Sequence, residues 1–405
     1  MSEWLVLVES NTTGSGRLFC HAAGRLGLRP VLFARDPGHY PYVAADAVDH
    51  RVVDTADLDA VRSAALGLDG RIAGVTSSSE YFIATAAEVA RSFGRPHPDP
   101  AAVRACRDKY EQRVRLRAAG LPGPDFVLGH TPAEVVAGAA HVGLPVVVKP
   151  VAGSGSIGVR RCDTLDEVRR AASRLLDADP TRLALPPQRG VLVERYLAGR
   201  EFSVETLDEQ VIGTTAKHLG PGPHFVEIGH DLPARLPPGE QAQVQAAALD
   251  ALRALGLGWG AAHVEVRLTE SGPRVIEVNP RLAGGMIPRL VEQAIGVDLV
   301  AHVVARAAGV AKTPTVTADL AASIRFLVAP RSGRLAGVDG QDAARGVPGV
   351  VEVAMNRDSG SDIVIRHSFQ DRLGYVIAVR ERPGDAARAA DAALHQLRPR
   401  IEDGQ

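Results

Sequence analysis

The chain predicts a mixed α/β and α+β architecture in three units, and three observations predict it. Up to Phe93, short apolar runs alternate with helical patterns across short loops, which argues a parallel sheet with helices on its faces. Pro96–Pro100 is a proline-rich break that reads as a domain boundary. After Ala318 the pattern changes to strand-like runs closed by one helix, as in a small α+β module. The expected units are residues 1–100, 101–310 and 311–405, in keeping with a prior of two or three domains for 405 residues.

In order, Trp4–Glu9 is a buried-type strand, followed by Asn11-Thr12-Thr13-Gly14-Ser15-Gly16 and a helix through Leu26. Pro30–Ala34, Val48–Val53 and Ile72–Val75 continue the strands, with helices ending at Leu66 and running from about Glu80 to Phe93. Gly14 and Gly16 resemble half of a dinucleotide fingerprint. Phe19 stands where its third glycine belongs, so a plain strand-to-helix turn is the better reading. Past the boundary a single helix is expected over Ala101–Ala119, carrying Asp108-Lys109. Strand Phe126–Leu128, helix Thr131–Val142 and strand Leu144–Pro150 follow, with Thr131 as cap and Pro132 at the first helical position. A helix over Arg161–Leu176, starting near Asp163 or Thr164, leads to a proline-bearing loop at Pro180–Arg189. Val191–Tyr196 and Glu201–Leu207 are strands, Gly220–Gly239 is expected to be largely irregular, and Gln241–Leu255 is helical. An Arg281–Gly285 loop precedes one helix to Gly309. The last unit has strands at Ser323–Ala329, Val350–Asn356, Asp362–Arg366 and Tyr375–Arg380, then a helix at Ala386–Leu397.

The formal net charge of −1 favours neither nucleic acid nor a membrane surface as partner. Cys20, Cys106 and Cys162 are scattered and form no C-x-x-C, which fits a reducing cytoplasm and neither a disulfide framework nor a zinc site. Glu3 stands where a signal peptide would be basic, and no apolar run reaches 18 residues. The sequon Asn11-Thr12-Thr13 carries no weight in a cytoplasmic protein.

The chemistry centres on His263–Arg281, which reads as a β-hairpin: β-branched runs His263–Leu268 and Arg274–Asn279 flank a turn with Gly272 and Pro273. Folded about Ser271, it sets Glu265 opposite Glu277, and Asn279 joins Glu277 on the same face. Like charges so placed repel. A hard divalent cation resolves the conflict, since Mg²⁺ takes oxygen ligands from one or two carboxylates and substrate phosphates. A solvated face with Arg267 or Arg274 nearby is the competing reading. Gly153-Ser154-Gly155-Ser156-Ile157-Gly158 follows a strand ending in Lys149; its glycines let backbone N–H groups approach an anion and its serines add donors. A lysine ending a buried strand needs an anion such as a nucleotide phosphate, unless it snorkels. The apolar strand through Glu194 and Leu197 offers backbone groups to an adenine edge, and Glu201 offers an acceptor to ribose hydroxyls. Phe225–Asp231, with Glu227 and His230, is an apolar loop of the kind that lines sites. Arg281 is placed to stabilise an oxyanion, and Gly284-Gly285 leave room for substrate or present N–H donors.

These pieces, in this order over about residues 100–310, resemble the ATP-grasp superfamily. The resemblance implies ATP between two antiparallel-sheet subdomains, with a lid at about 121–205 and a preceding parallel-sheet domain. It implies that Lys109 and Lys149 contact phosphates, Glu194 and Leu197 frame adenine, and Glu201 meets ribose. Ser154, Gly155 and Ser156 would close over the γ-phosphate. Glu265, Glu277 and Asn279 would hold Mg²⁺, with Mn²⁺ as a substitute. Within the superfamily, Phe225–His230, Asn279–Gly285 and Asp371–Val376 look like carboxylate–amine ligases of the L-amino-acid ligase type. There Glu227 and His230 would line an amino-acid pocket, and Arg281 would meet the carboxyl group being activated. The expected partners are a small carboxylate and a small amine, and a homodimer is compatible with the chain. Alternatives are a purine-pathway or biotin-carboxylase-like enzyme with another acceptor, or a non-catalytic nucleotide-binding scaffold.

Overall fold

The computed structural model describes residues 2–11, 15–177, 190–310 and 313–403. Gly14 of the glycine pair, Thr12 and Thr13 of the sequon, and all but Gly190 of the stretch after Asp177 lie outside the described residues, so the expected Pro180–Arg189 loop does too. In chain order the strands are β1 (Glu3–Val8), β2 (Arg29–Ala34), β3 (Asp49–Val52), β4 (Arg71–Thr76), β5 (Phe126–Gly129), β6 (Val146–Pro150), β7 (Arg160–Cys162), β8 (Val191–Arg195), β9 (Arg200–Leu207) and β10 (Gln210–Leu219). They continue with β11 (Glu227–Leu232), β12 (Ala261–Thr269), β13 (Gly272–Asn279), β14 (Ala321–Val328), β15 (Gly333–Asp339), β16 (Val350–Met355), β17 (Asp362–Ile363), β18 (Arg372–Arg380) and β19 (Arg398–Glu402).

The N-terminal sheet is parallel in the order β3-β2-β1-β4, as the alternation predicts. A four-stranded antiparallel sheet, β5-β8-β6-β7, backs the helices Pro132–Val142 and Leu165–Leu176. The main sheet has eight strands in the order β13-β12-β9-β10-β11-β14-β18-β16. A small sheet, β17-β15-β19, completes the C-terminal region. Among the described residues no helix is long and apolar enough to cross a membrane.

The main sheet sorts its side chains by the two-residue period of a strand. Phe202, Val204, Val264, Val266, Val275 and Val278 pack beneath the helix Pro238–Leu255, whose Val244, Ala248, Leu252 and Leu255 recur at near-helical spacing. Each such burial contributes roughly 1.5–3 kcal/mol. The alternate residues of the same strands, Glu201, Ser203, Glu205, His263, Glu265 and Arg267, share the opposite face.

Several sequence-based expectations need correction. The helix over Ala101–Ala119 is two helices, Pro100–Cys106 and Lys109–Ala118, because the Asp108 side chain caps the second by accepting from Glu111 N. The helix to Gly309 is also two, Ile287–Ile295 and Leu299–Ala307. Gly296 ends the first with φ 72° and Asp298 caps the second. Arg160–Cys162 is strand β7 and not helix, and Thr164 forms a capping box for Leu165–Leu176. The Phe225–Asp231 segment is no loop from Glu227 onward: β11 lies between β10 and β14, and ladder partners on both sides override a Gly- and Pro-rich context. Gly272 and Pro273 begin β13, leaving a tighter turn at Glu270-Ser271. The strands β14, β18 and β16 continue the main sheet, so the C-terminal region shares it.

Candidate active site

The polar face of the main sheet and the β6–β8 sheet enclose an open cleft of about 910 Å³. Lys109, Lys149, Ser154, Gly155, Ser156, Glu194, Leu197, Glu201, Glu227, Glu265, Glu277, Asn279 and Arg281 all line it. His230, Gly284 and Gly285 do not. His230 is fully buried behind Glu227, edge-on to Phe326, and a Cβ at Gly285 would lie 2.6 Å from its Nε2. Burial pushes the His230 imidazole down to about 3, so it is neutral; a Glu227 carboxylate oxygen lies 3.5 Å from Nε2, and among the described residues neither ring nitrogen has a hydrogen-bond partner.

Glu265 does pair with Glu277, and His263 with Asn279. A bulge brings this about. The tight turn pairs Thr269 with Gly272 and Val266 with Val275, which on its own would set Glu265 opposite Ile276. The extra residue Ile276 shifts the register by one and returns Glu277 to the Glu265 face. Two neighbours on the helix Lys109–Ala118 pin this edge. Arg113 donates to the carbonyls of Val275 and Ile276. Gln112 pairs with Val278, accepting its N–H at 3.0 Å and donating to its carbonyl at 2.9 Å.

Charge is densely paired. Lys217 on β10, buried, has its ammonium 2.7 Å from Glu227, 2.8 Å from Glu265 and 3.3 Å from Glu201. Burial disfavours its charge, but the three carboxylates outweigh that and raise it well above the ordinary lysine value. Glu265 is held well below the ordinary range, since Lys217 and His263 overcome burial. Glu277 lies 3.1 Å from Lys109, whose Nζ also donates to Gly153 O at 2.7 Å. Glu194 bridges Lys149 at 2.8 Å and Arg113 at 2.5 Å, and these cations hold it at about 2 against burial. Its carboxylate is thus committed to the two cations, while Leu197 O accepts from Arg267 at 3.0 Å. Arg267 also pairs with Glu201 across the β9–β12 ladder. Arg281 binds Glu80 of the N-terminal unit at 2.5 Å, and Arg107 joins at 3.2 Å. Arg372 on β18 donates to the carboxylate and carbonyl of Glu227, both at 3.0 Å.

Lys217, His263, Arg113 and Glu80 escaped the sequence reading as site residues, and Arg372 was reached only as part of the Asp371–Val376 run. Lys217 carries a legible signal, a lysine within an alternating run, once Gln210–Leu219 is taken as a strand. Arg113 has none, because its partners are 81 and 162 residues away.

Glu265, Glu277 and Asn279 present hard oxygen donors from adjacent strands, a set suited to a divalent cation completed by phosphate oxygens. Lys217 and Lys109 neutralise the two carboxylates here, so the donors fit the ion by their chemistry, and an ion would share these oxygens with the two ammonium groups.

His263 is buried between Glu205 at 2.9 Å and Glu265 at 3.2 Å, and these carboxylates raise its imidazole to about 9 although burial opposes the charge. A raised folded value stabilises fully below the unfolded pKa of about 6.5 and is lost as pH rises through 9. The stability gap between wild type and His263→Gln is therefore expected to be widest near pH 6 and to shrink by roughly 1–3 kcal/mol by pH 9. Urea unfolding of both proteins across that range checks it; a gap independent of pH contradicts the assignment.

A cleft between two antiparallel sheets, lined by Lys109, Lys149, the glycine flap and the paired carboxylates, is the arrangement of an ATP-grasp fold. Residues 142–289 match the ATP-grasp domain model and residues 325–402 match the L-amino acid ligase C-terminal domain 2. The uncharacterised protein y4rH of Sinorhizobium fredii is 41% identical over 399 residues, covering 98% of this chain and 83% of that protein. Carnosine synthase 1 of Mus musculus is 29% identical over 311 residues, 70% of this chain but only 37% of its own length. The crystal structure of an L-amino acid ligase from Bacillus licheniformis superposes with a TM-score of 0.79 at 22% identity, covering 100% of this chain and 99% of that one. The chain belongs to the ATP-grasp carboxylate–amine ligase family.

Proposed function

We propose that this chain joins a small carboxylate to a small amine, both amino acids in chemical class, with ATP cleaved to ADP and phosphate. The observation that carries this reading is the convergence of Glu265, Glu277 and Asn279 with Lys109, Lys149 and the glycine flap on one cleft. The relatives named carnosine synthase, D-alanine–D-alanine ligase and dapdiamide A synthase support an amino-acid substrate.

A carboxylate is a poor acyl donor because its leaving group would be an oxide. In the proposed reaction a carboxylate oxygen attacks the γ-phosphorus, the bond to the β-phosphate oxygen breaks, and ADP leaves. The acyl phosphate then offers phosphate as leaving group. The amine attacks the acyl carbon, the C–O bond to phosphate breaks, and the amine's proton passes to solvent or to a carboxylate. The protein supplies position and charge. Lys109 and Lys149 neutralise phosphate oxygens, and Arg281 faces the oxyanion of the acyl carbon. Glu227 orients the incoming amino acid from beside Lys217 and Arg372. Glu265, Glu277 and Asn279 would hold Mg²⁺, or Mn²⁺ in its place, which supplies charge neutralisation for the ATP phosphates. Leu197 and the strand backbone beside Glu194 frame adenine, and Glu201 meets ribose. His230 and Gly285 back the pocket as a neutral, close-packed wall.

The test is a screen of amino-acid pairs with ATP and Mg²⁺, reading phosphate release and product mass. The expected result is phosphate release that requires both partners, with a product lighter than their sum by one water. ADP formed with no condensed product from any pair would overturn the reading.

A further inference from the structure

The glycine flap does not stand free over the cleft. Gly155, at φ +64°, lies flush against the ring of Phe369; a Cβ there would sit 2.3 Å from Phe369 Cδ1 and 2.7 Å from Cε1. Phe369 belongs to the C-terminal region, on a short turn that runs into β18. That turn is rigidly built: buried Asp371 accepts from Arg366 N at 2.8 Å and Ser368 N at 3.2 Å, and the Ser368 side chain accepts from Gln370 N. The same turn makes two further contacts beside the cleft. The His367 ring stacks on His224 with centroids 4.1 Å apart and planes 3° from parallel. Arg372, just beyond, holds Glu227. The flap is tied in turn to the His224 segment, because Ser156 Oγ donates to Phe225 O at 2.8 Å and Arg161 N to Pro223 O at 2.8 Å.

We infer that Phe369 is a positioning residue for the ligase reaction: it is the seat on which the Gly153–Gly158 flap closes, so the C-terminal region seals the cleft against water. This rests on the ligase reading above. Apart from Ile157, which packs on the core of the β5-β8-β6-β7 sheet, the flap is glycine and serine, with little apolar surface and large conformational entropy, so its closed position depends on contacts from outside. An aromatic ring pressed on its backbone supplies that hold at a position where only glycine leaves room. The chemistry makes the seal consequential. An acyl phosphate left open is attacked by water at the acyl carbon, the C–O bond to phosphate breaks, and acid and phosphate return with ATP spent and no amide made.

Phe369→Ala, with Phe369→Leu as the conservative control, decides it in the full-length chain. Two readouts serve: moles of phosphate released per mole of amide, and deuterium uptake over residues 153–158 with Mg²⁺ and a non-hydrolysable ATP analogue. The expected result for Phe369→Ala is a phosphate-to-amide ratio at least about threefold above wild type, a lower kcat for amide with KM for ATP changed less than twofold, and faster uptake in the flap. Phe369→Leu restores both readouts most of the way. An unchanged ratio with unchanged uptake overturns the inference, and so does equal loss in both variants, which marks a structural role for the ring. If the wild type makes no amide from any pair, the ligase reading fails on that arm, and exchange in the flap still decides whether Phe369 seats it.

Discussion

Glu277→Ala is expected to lower substrate-dependent ADP release about 10³-fold, the scale of losing one preorganised charged group at a developing charge. Glu277 faces Glu265 across the β12–β13 ladder and pairs with Lys109 at the cleft. Removing it takes away half of the opposed carboxylate pair and frees Lys109 from its acid. The variant should fold, since Lys109 keeps Gly153 O as acceptor and Glu277 is not a core side chain. ADP release measured beside a thermal melt checks both halves. Turnover at the wild-type rate would remove Glu277 from the site.

Arg113→Met should destabilise the fold by about 3–5 kcal/mol, the usual cost of breaking a buried ion pair from one side. Arg113 is 3% exposed. It donates to Glu194 and, with its remaining nitrogens, to the carbonyls of Val275 and Ile276 at the bulge. The substitution leaves Glu194 with Lys149 alone and strips the bulge of its donors. Urea unfolding measures the loss. A midpoint within error of wild type would show that the bulge holds without Arg113. A folded variant should also lose ATP turnover, because a one-residue slip carries Glu277 to the other face.

These two residues mark how far the chain was legible. The N-terminal parallel sheet could be read because its strands are short apolar runs separated by helical patterns. The pairing of Glu265 with Glu277 was anticipated by folding the hairpin about Ser271, yet the turn is one residue tighter and the bulge at Ile276 restores the pairing. The strands β10 and β11 were passed over because Gly213, Gly229 and the prolines around them carry weak local preference; neighbours on both sides hold them in the ladder. The split of two long helices was written in Asp108 and Asp298, both capping residues, and went unread because the apolar period runs on past them.

By itself the sequence determined the kinds of groups this protein brings to bear: two carboxylates on one hairpin, lysines at strand and helix ends, a glycine flap and an arginine after the hairpin. Their types and their spacing along single strands are local properties, set by the two-residue period and by capping. Only the tertiary structure decided which partners neutralise them, through Lys217, Arg113 and Arg372, and what the flap rests on, through Phe369. Those contacts join residues from 10 to 214 positions apart, and no periodicity along the chain encodes a meeting that depends on how separate strands and sheets come together.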